Sequence, residues 1–191
     1  MTRSAPTVTG TAGNELLTSA TAAVLTLLLI AEGITILWMR GLRTEHMFIG
    51  LVLIPPILLK LGSTGYRFAR YYTGAPTYRA KGPPLLPLRV LAPILVAATV
   101  LVLGSGVALL LVGHRSDVVL ELHKVSFIVW GGVFAVHFLW YLPRVWRAFA
   151  ESRREGAPGS LVRGLLVSAS IGGGVTLAVL LLSLIEAWHG R

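Results

Sequence analysis

The sequence contains no cysteine and few charged residues. Without cysteine, this chain cannot form disulfides, supply thiolate ligands or hold an iron–sulfur cluster. Charged residues make up 13% of the chain, well below the roughly 25% of soluble domains. Hydrophobic residues make up 54%, and the mean hydropathy is +0.76. This composition predicts an integral membrane protein.

Five apolar runs are long enough to span a bilayer, which takes about 20 helical residues. They lie at residues 17–39, 47–71, 88–113, 118–142 and 161–188. The sequence shows neither internal repeats nor a soluble appendage. We therefore predict an all-α polytopic membrane protein, with residues 1–191 forming a single transmembrane domain of five spans. The glycines of SASIGGGVTLAV in the fifth run predict close helix packing there.

Acidic residues are also scarce: the chain has eight Asp and Glu against 17 Lys and Arg, a net charge of +9. A basic balance can indicate nucleic-acid binding, but here most of the cations lie in two loops, 67–89 and 144–163. By the positive-inside rule, these loops and the N-terminus face the cytoplasm, and the C-terminus faces outward. We therefore expect a multi-pass protein of the plasma membrane, in contact with the lipid bilayer and not with nucleic acid.

The first of these loops contains YYTGAPTYRAKGPPLLPLR, residues 71–89. Tyrosines, cations and Gly-Pro turn signals together predict an ordered segment at the membrane interface. Such a segment could anchor the chain among lipid head groups, contact a haem propionate or dock a partner protein.

The motifs of soluble enzymes are absent: the chain has no nucleophile elbow, phosphate-binding loop, zinc signature or nucleic-acid module. Two of the five histidines, however, lie in LHKVSFIVWGGVFAVHFLWY, residues 122–141. At about 100° and 1.5 Å per helical residue, His137 lies within about 40° of His123 and roughly 21 Å along the axis. Both imidazoles therefore face the same side, near opposite membrane surfaces.

An aromatic stripe continues the face that carries these two histidines. It consists of Phe127, Trp130, Phe134 and Tyr141, with Gly131 and Gly132 midway. Haem iron takes imidazole ligands, a porphyrin needs apolar and aromatic walls, and glycines allow a planar group to approach a helix closely. The pattern therefore favours a b-type haem bundle. The alternative is an interfacial His123 and a His137 that is hydrogen-bonded to a neighbouring helix.

A haem with two axial ligands needs a second donor at the depth of the first. His46 opens the second span, which runs from outside to inside like the fourth, so it lies at about the level of His123. The sequence therefore predicts an outer haem with His46 and His123 as its ligands. His114 and His189 could replace His46 if the spans are staggered.

Lys60 lies fourteen residues after His46, at about the depth of His137. A lysine can ligate haem iron only as the free amine, which burial favours. Three alternatives are a side chain that reaches the cytoplasmic surface, pairing with a propionate, and binding a quinone head group. Pro55 and Pro56 should also disturb the helix between His46 and Lys60. We therefore predict one haem, or two if His137 and Lys60 hold a second.

Glu32, in LLLIAEGITILW, lies about 9 Å inward of Trp38 by helical rise. An unpaired carboxylate in a membrane is costly, so Glu32 should be paired, protonated or directed into a polar cavity. Because the first span runs outward, Glu32 lies at a level comparable to that of His46 and His123. A quinol site that releases protons outward would use such groups.

The stretch LHKVSFIVWGGVFAVH resembles the prokaryotic cytochrome b superfamily, which includes diheme cytochromes b and the membrane subunits of formate dehydrogenases and nickel–iron hydrogenases. HMFIGLVLIPPILLKLGSTGYRFARYYTG is similar to cytochrome-b-like membrane regions of actinobacterial proteins. The resemblance covers about residues 46–142. It implies a four-helix haem-binding core that passes electrons between a quinone pool and a partner oxidoreductase. The chain departs from the family in having no histidine opposite His137.

We therefore expect an electron-transfer subunit of a redox complex, with haem b and a quinone as its ligands, and not an independent enzyme. Four arginines are candidate propionate partners, since they lie where the porphyrin edges would reach the interfaces. They are Arg40, Arg43, Arg67 and Arg70. One alternative is a haem-free membrane anchor or assembly subunit that holds a partner through residues 71–89. Another is a transporter with a proton relay through Glu32, Lys60 and His137.

Overall fold

The computed structural model describes residues 11–80, 82, 86–112, 116–152 and 160–188, with only the backbone described at 144–152 and 160. These ranges form seven helices and no strand. The helices are α1 (Thr11–Leu37), α2 (Arg43–Tyr72), α3 (Pro76–Ala80), α4 (Leu86–Val112), α5 (Asp117–Ser152), α6 (Ser160–Leu180) and α7 (Leu182–Glu186). Five of them, α1, α2, α4, α5 and α6, are long and apolar enough to cross a membrane. The prediction of an all-α polytopic membrane protein with five spans is confirmed.

The helix ends differ from the predicted spans. α5 continues to Ser152, past the predicted end of the fourth span at residue 142, because hydropathy predicts the edge of the membrane and not the end of a helix. The last span ends at Leu180, and a turn at Leu181 separates it from α7. α2 runs without interruption through its two adjacent prolines, so the expected disturbance does not break this helix.

Four helices form a ring in the order α1, α2, α4, α5. α1 packs along α2, and α4 packs along α5, so the ring consists of two antiparallel hairpins. Narrower contacts join α2 to α4 and α1 to α5, which places α2 and α5 across the ring from each other. α6 packs outside the ring, mainly against α2. Below, the Glu32 end of the ring is the end that holds Glu32, His46 and His123, and the Lys60 end is the end that holds Lys60.

α2 lies at the centre of the core. Leu51, Val52 and Leu53 are almost fully buried against α1 and α6. Pro56 cannot donate to the carbonyl four residues before it, so the Val52 carbonyl has no helical donor. Gly174 of α6 packs directly on this carbonyl, and a Cβ there would also lie 2.9 Å from Val52 Cα. The close packing predicted for the fifth span is therefore present at Gly174, where only a glycine fits.

The segment after α2 begins with a turn and a short helix in the residues that the structure describes. Gly74 has a φ of +87°, a left-handed conformation that favours glycine, and its backbone NH bonds to the carbonyl of Tyr71. The short helix α3 follows, and its Tyr78 is buried with its ring edge-on to Tyr66 at 6.1 Å. α3 thereby covers part of the Lys60 end of α2.

Candidate functional site

Two tight helical hairpins bring the predicted histidine pair to one level. α1 and α2 are joined by a turn in which Gly41 and Leu42 both donate to the carbonyl of Trp38. Because this turn is short, Glu32 near the end of α1 lies beside His46 in the first turns of α2. α4 and α5 form the second hairpin, which places His123 beside the last third of α4.

His46 is held by a carboxylate of its own hairpin. Its Nδ1 lies 2.9 Å from Glu32 Oε1 and 3.2 Å from the Thr35 hydroxyl. Thr35 in turn donates to the backbone carbonyl of Glu32 at 2.6 Å, and its oxygen lies 3.3 Å from Glu32 Oε2. Both α1 side chains are buried. Glu32 is therefore paired, which is one of the three states expected for a carboxylate at this depth.

His123 is held by uncharged groups. Its Nδ1 lies 3.1 Å from the backbone carbonyl of Val102 and 3.1 Å from the Ser105 hydroxyl. Ser105 also lies 3.4 Å from the Ser126 hydroxyl, and both serines are buried. Gly106 leaves room for the imidazole, since a Cβ at this position would lie only 3.2 Å from His123 Cε1. The Val102 carbonyl and the Ser105 hydroxyl of α4 therefore hold this imidazole in place, and Gly106 leaves space for it.

The two imidazoles lie close together, although they come from helices on opposite sides of the ring. Their centroids are 6.3 Å apart and their planes form an angle of 70°. In the described part of the chain, both Nδ1 atoms bond to protein groups and neither Nε2 has a protein hydrogen-bond partner. The proximity predicted from matching depth is thus present, although α2 and α5 belong to different hairpins.

This donor arrangement fits a metal held between two Nε2 atoms. Metal–imidazole bonds of about 2.0 Å place the two nitrogens about 4 Å apart and the ring centroids roughly 6 Å apart. A metal-binding histidine usually donates its other N–H to a carboxylate or a backbone carbonyl, as both rings do here. Two rings that share a metal can rotate about the metal–nitrogen axis, so an angle of 70° is compatible with ligation.

The site fits haem better than a bare ion. No group of three or more His, Asp or Glu side chains among the described residues is arranged to hold a metal ion. Protein zinc sites use three or four protein ligands, whereas the iron of a haem is already bound by the porphyrin and needs only axial ligands. A pair of opposed histidines therefore suits a porphyrin-bound iron.

An apolar groove lies between α2 and α4. Its volume is about 350 Å³, within the range of cofactor pockets, about 300–1,000 Å³. It is lined by Ile54, Ile57, Leu58, Leu61, Thr99, Val100, Leu103, Gly104 and Val107. Neither histidine of the pair lines the groove, and its first residue on α2, Ile54, lies about 12 Å from His46 by helical rise. The groove therefore extends along α2 away from His46, toward the Lys60 end.

The aromatic stripe of α5 differs in part from the prediction. Phe127, Trp130, Phe134 and Phe138 form a continuous stack, with centroids 6.3, 4.7 and 5.5 Å apart. Phe138 continues this stack, whereas the predicted Tyr141 instead contacts His137 at 4.8 Å. The reason is that stacking follows steps of three and four residues, which lead from Phe134 to Phe138. Trp130 also donates to Thr99 at 3.0 Å, which ties the stack to α4.

His137 and Lys60 differ from the histidine pair in their hydrogen-bond partners. His137 Nδ1 is buried, and no group in the described residues hydrogen-bonds to it. Lys60 Nζ donates to the backbone carbonyl of Thr18 on α1 at 2.8 Å. Next to it, Ser63 lies 3.1 Å from the Thr18 hydroxyl and accepts a bond from Asn14 at its carbonyl. Ligation of a second haem by His137 and Lys60 stays a prediction.

The arginines divide between the two ends of the ring. Arg40 and Arg43 are exposed near the start of α2, close to His46. Arg67 lies about 30 Å along α2 from His46 by helical rise, and its guanidinium lies 3.6 Å from Glu15. Arg70 lies in the last turn of the same helix. Only Arg40 and Arg43 can therefore be propionate partners of a haem at the Glu32 end. His114 and His189, the alternative ligands, lie outside the described residues.

Sequence reasoning missed the groups that hold the two imidazoles. It placed Glu32 at the right level but did not pair it with His46, and it gave no role to Thr35, Ser105 or Gly106. The three-residue spacing of Glu32 and Thr35 was an available signal, because it places both on one helix face. Comparison with protein-family models, curated proteins and solved structures finds no match to this chain.

Proposed function

We propose that this chain is a membrane-embedded b-type cytochrome that binds one haem b between His46 and His123. It would transfer electrons between a quinone pool and a partner oxidoreductase subunit. One observation carries the proposal: two imidazoles from opposite helices lie 6.3 Å apart, with each Nδ1 engaged by a protein acceptor. This arrangement leaves both Nε2 atoms available for a shared iron.

The haem, when bound, supplies one-electron redox chemistry, and the protein positions it. His46 and His123 would hold the iron. Arg40 and Arg43, which are exposed near the start of α2, would be the propionate partners. With the basic loops in the cytoplasm of a plasma-membrane protein, the site lies in the outer half of the membrane and the C-terminus outside.

A single haem is proposed because the groups at the Lys60 end have other contacts. Lys60 donates to the backbone carbonyl of Thr18 on α1. His137 contacts Tyr141. In this proposal neither side chain is a ligand.

The test is a dithionite-reduced minus oxidised absorption spectrum of the purified protein, with the haem counted as pyridine haemochrome. We expect one haem per chain with b-type bands. His46→Ala and His123→Ala should each lose most of the haem, because each removes one of only two protein ligands. His137→Ala and Lys60→Met are the matched controls, and both should keep it.

Three outcomes would contradict the proposal in different ways. Absence of haem after expression with ample haem supply would exclude the cytochrome and favour a haem-free anchor that docks a partner through residues 71–89. Two haems per chain would assign His137 a ligand role. Loss of haem in the Lys60→Met variant alone would indicate that the lysine, and not only the histidine pair, binds the cofactor.

A further inference from the structure

The two proposed haem ligands differ in the charge of their Nδ1 partners. On His46 the partner is the carboxylate of Glu32, at 2.9 Å. On His123 the partners are the Val102 carbonyl and the Ser105 hydroxyl, both at 3.1 Å. The haem would therefore have one ligand with an anionic partner and one with neutral partners.

Ligation decides which atom of His46 carries the proton. An imidazole that binds iron through Nε2 carries its hydrogen on Nδ1, and that N–H must donate. Glu32 Oε1 is the nearest acceptor, and hydrogen bonds to ionised acceptors are roughly twice as strong as neutral ones. Thr35 donates to the backbone carbonyl of Glu32 and also contacts Glu32 Oε2, and these contacts help to hold the carboxylate in place. The geometry therefore favours one orientation of the His46 ring.

The carboxylate also interacts differently with the two states of the iron. A ferric haem core carries one net positive charge, and a ferrous core carries none. In a membrane interior a nearby negative charge is only weakly screened, so it favours the ferric state. A carboxylate partner also raises the basicity of the ligand imidazole, which again stabilises the higher oxidation state.

We propose that Glu32 is a positioning residue that orients His46 and lowers the reduction potential of the haem. This inference rests on the proposed cytochrome function. The redox step is the gain of one electron by ferric haem from the quinone pool or the partner subunit, and its loss to the other; no covalent bond changes. The site would thus be poised as an electron donor by one buried carboxylate of α1.

The test is a potentiometric titration of haem absorbance in the full-length, haem-loaded Glu32→Gln variant. Gln keeps an oxygen acceptor for His46 Nδ1 but removes the charge. At a fixed ambient potential we expect the ferric to ferrous ratio to fall at least tenfold, which equals a midpoint rise of about 59 mV for one electron. Glu121→Gln is the matched control, because this exposed carboxylate lies two residues from His123 and pairs with Lys124 at 2.8 Å. In Glu121→Gln the ferric to ferrous ratio should change less than twofold.

An unchanged midpoint in haem-loaded Glu32→Gln would overturn the role of Glu32 and leave the cytochrome proposal standing. A wild-type protein without haem would overturn the proposed function, and this inference with it. If Glu32→Gln retains too little haem, reduced-minus-oxidised infrared spectra of the wild type and Glu32→Asp replace the titration. The wild type must then show a redox-linked carboxylate band that shifts in the aspartate variant, and a wild-type spectrum without such a band overturns the inference.

Discussion

The two hairpins of the ring present the same side chain to the same point but support it differently. The α1–α2 hairpin holds His46 through a buried carboxylate and is covered by α6. The α4–α5 hairpin holds His123 through neutral groups of α4, and much of α5 is exposed to the surrounding lipid. The difference teaches that the helix beside a histidine can set its charge environment, while the residue type stays constant.

The largest expected effect comes from disturbing the packing of α6 against α2, which is a contact of the first hairpin. In Gly174→Ala the new Cβ would overlap the Val52 carbonyl and lie 2.9 Å from Val52 Cα, and backbone atoms cannot move aside as a side chain can. Overpacking of this kind costs about 1–3 kcal/mol, so we expect about 2 kcal/mol less stability in detergent unfolding. Gly173→Ala is the matched control, since its Cβ would contact nothing within 4 Å. Equal stability of the two variants would contradict the packing described here.

A smaller effect should appear in the second hairpin when its ligand is displaced. In Gly106→Ala the Cβ would lie 3.2 Å from His123 Cε1, so the ring must shift and weaken its bond to the Val102 carbonyl. A net loss of about 1 kcal/mol corresponds to roughly fivefold weaker haem binding. Haem retention during dilution measures this effect, with Gly132→Ala as the control because its Cβ would be free of contacts. If both variants retain haem equally, α4 does not confine the imidazole.

The smallest effect tests whether the neutral partners of His123 matter electronically. Ser105→Ala removes a hydroxyl 3.1 Å from His123 Nδ1 but leaves the Val102 carbonyl as an acceptor at the same distance. The lost hydrogen bond is neutral and stabilises both oxidation states of the haem to a similar extent, so the ferric to ferrous ratio at fixed potential should change less than twofold. Potentiometric titration checks this. A change as large as that of Glu32→Gln would remove the proposed difference between the two hairpins.

Much of the architecture was predictable because membrane spans have a strong signal. A bilayer requires about 20 apolar residues per helix, so composition and run length identified all five spans. Helical rise then placed His46 and His123 at one depth, because both follow the start of helices that run in the same direction. The continuation of α5 to Ser152 was missed, since hydropathy indicates where a span ends and not where its helix ends.

The sequence by itself determined the five spans, their order and the level of each polar side chain along its helix, because these depend on hydropathy and a constant rise per residue. Only the tertiary structure decided which atoms meet at that depth. Three contacts depend on how each helix is rotated about its axis. They are the pairing of Glu32 with His46, the bond from His123 to the Val102 carbonyl, and the packing of Gly174 against α2. That rotation is set by contacts between helices distant in sequence, such as α1 with α5 and α2 with α6, and no local pattern encodes it.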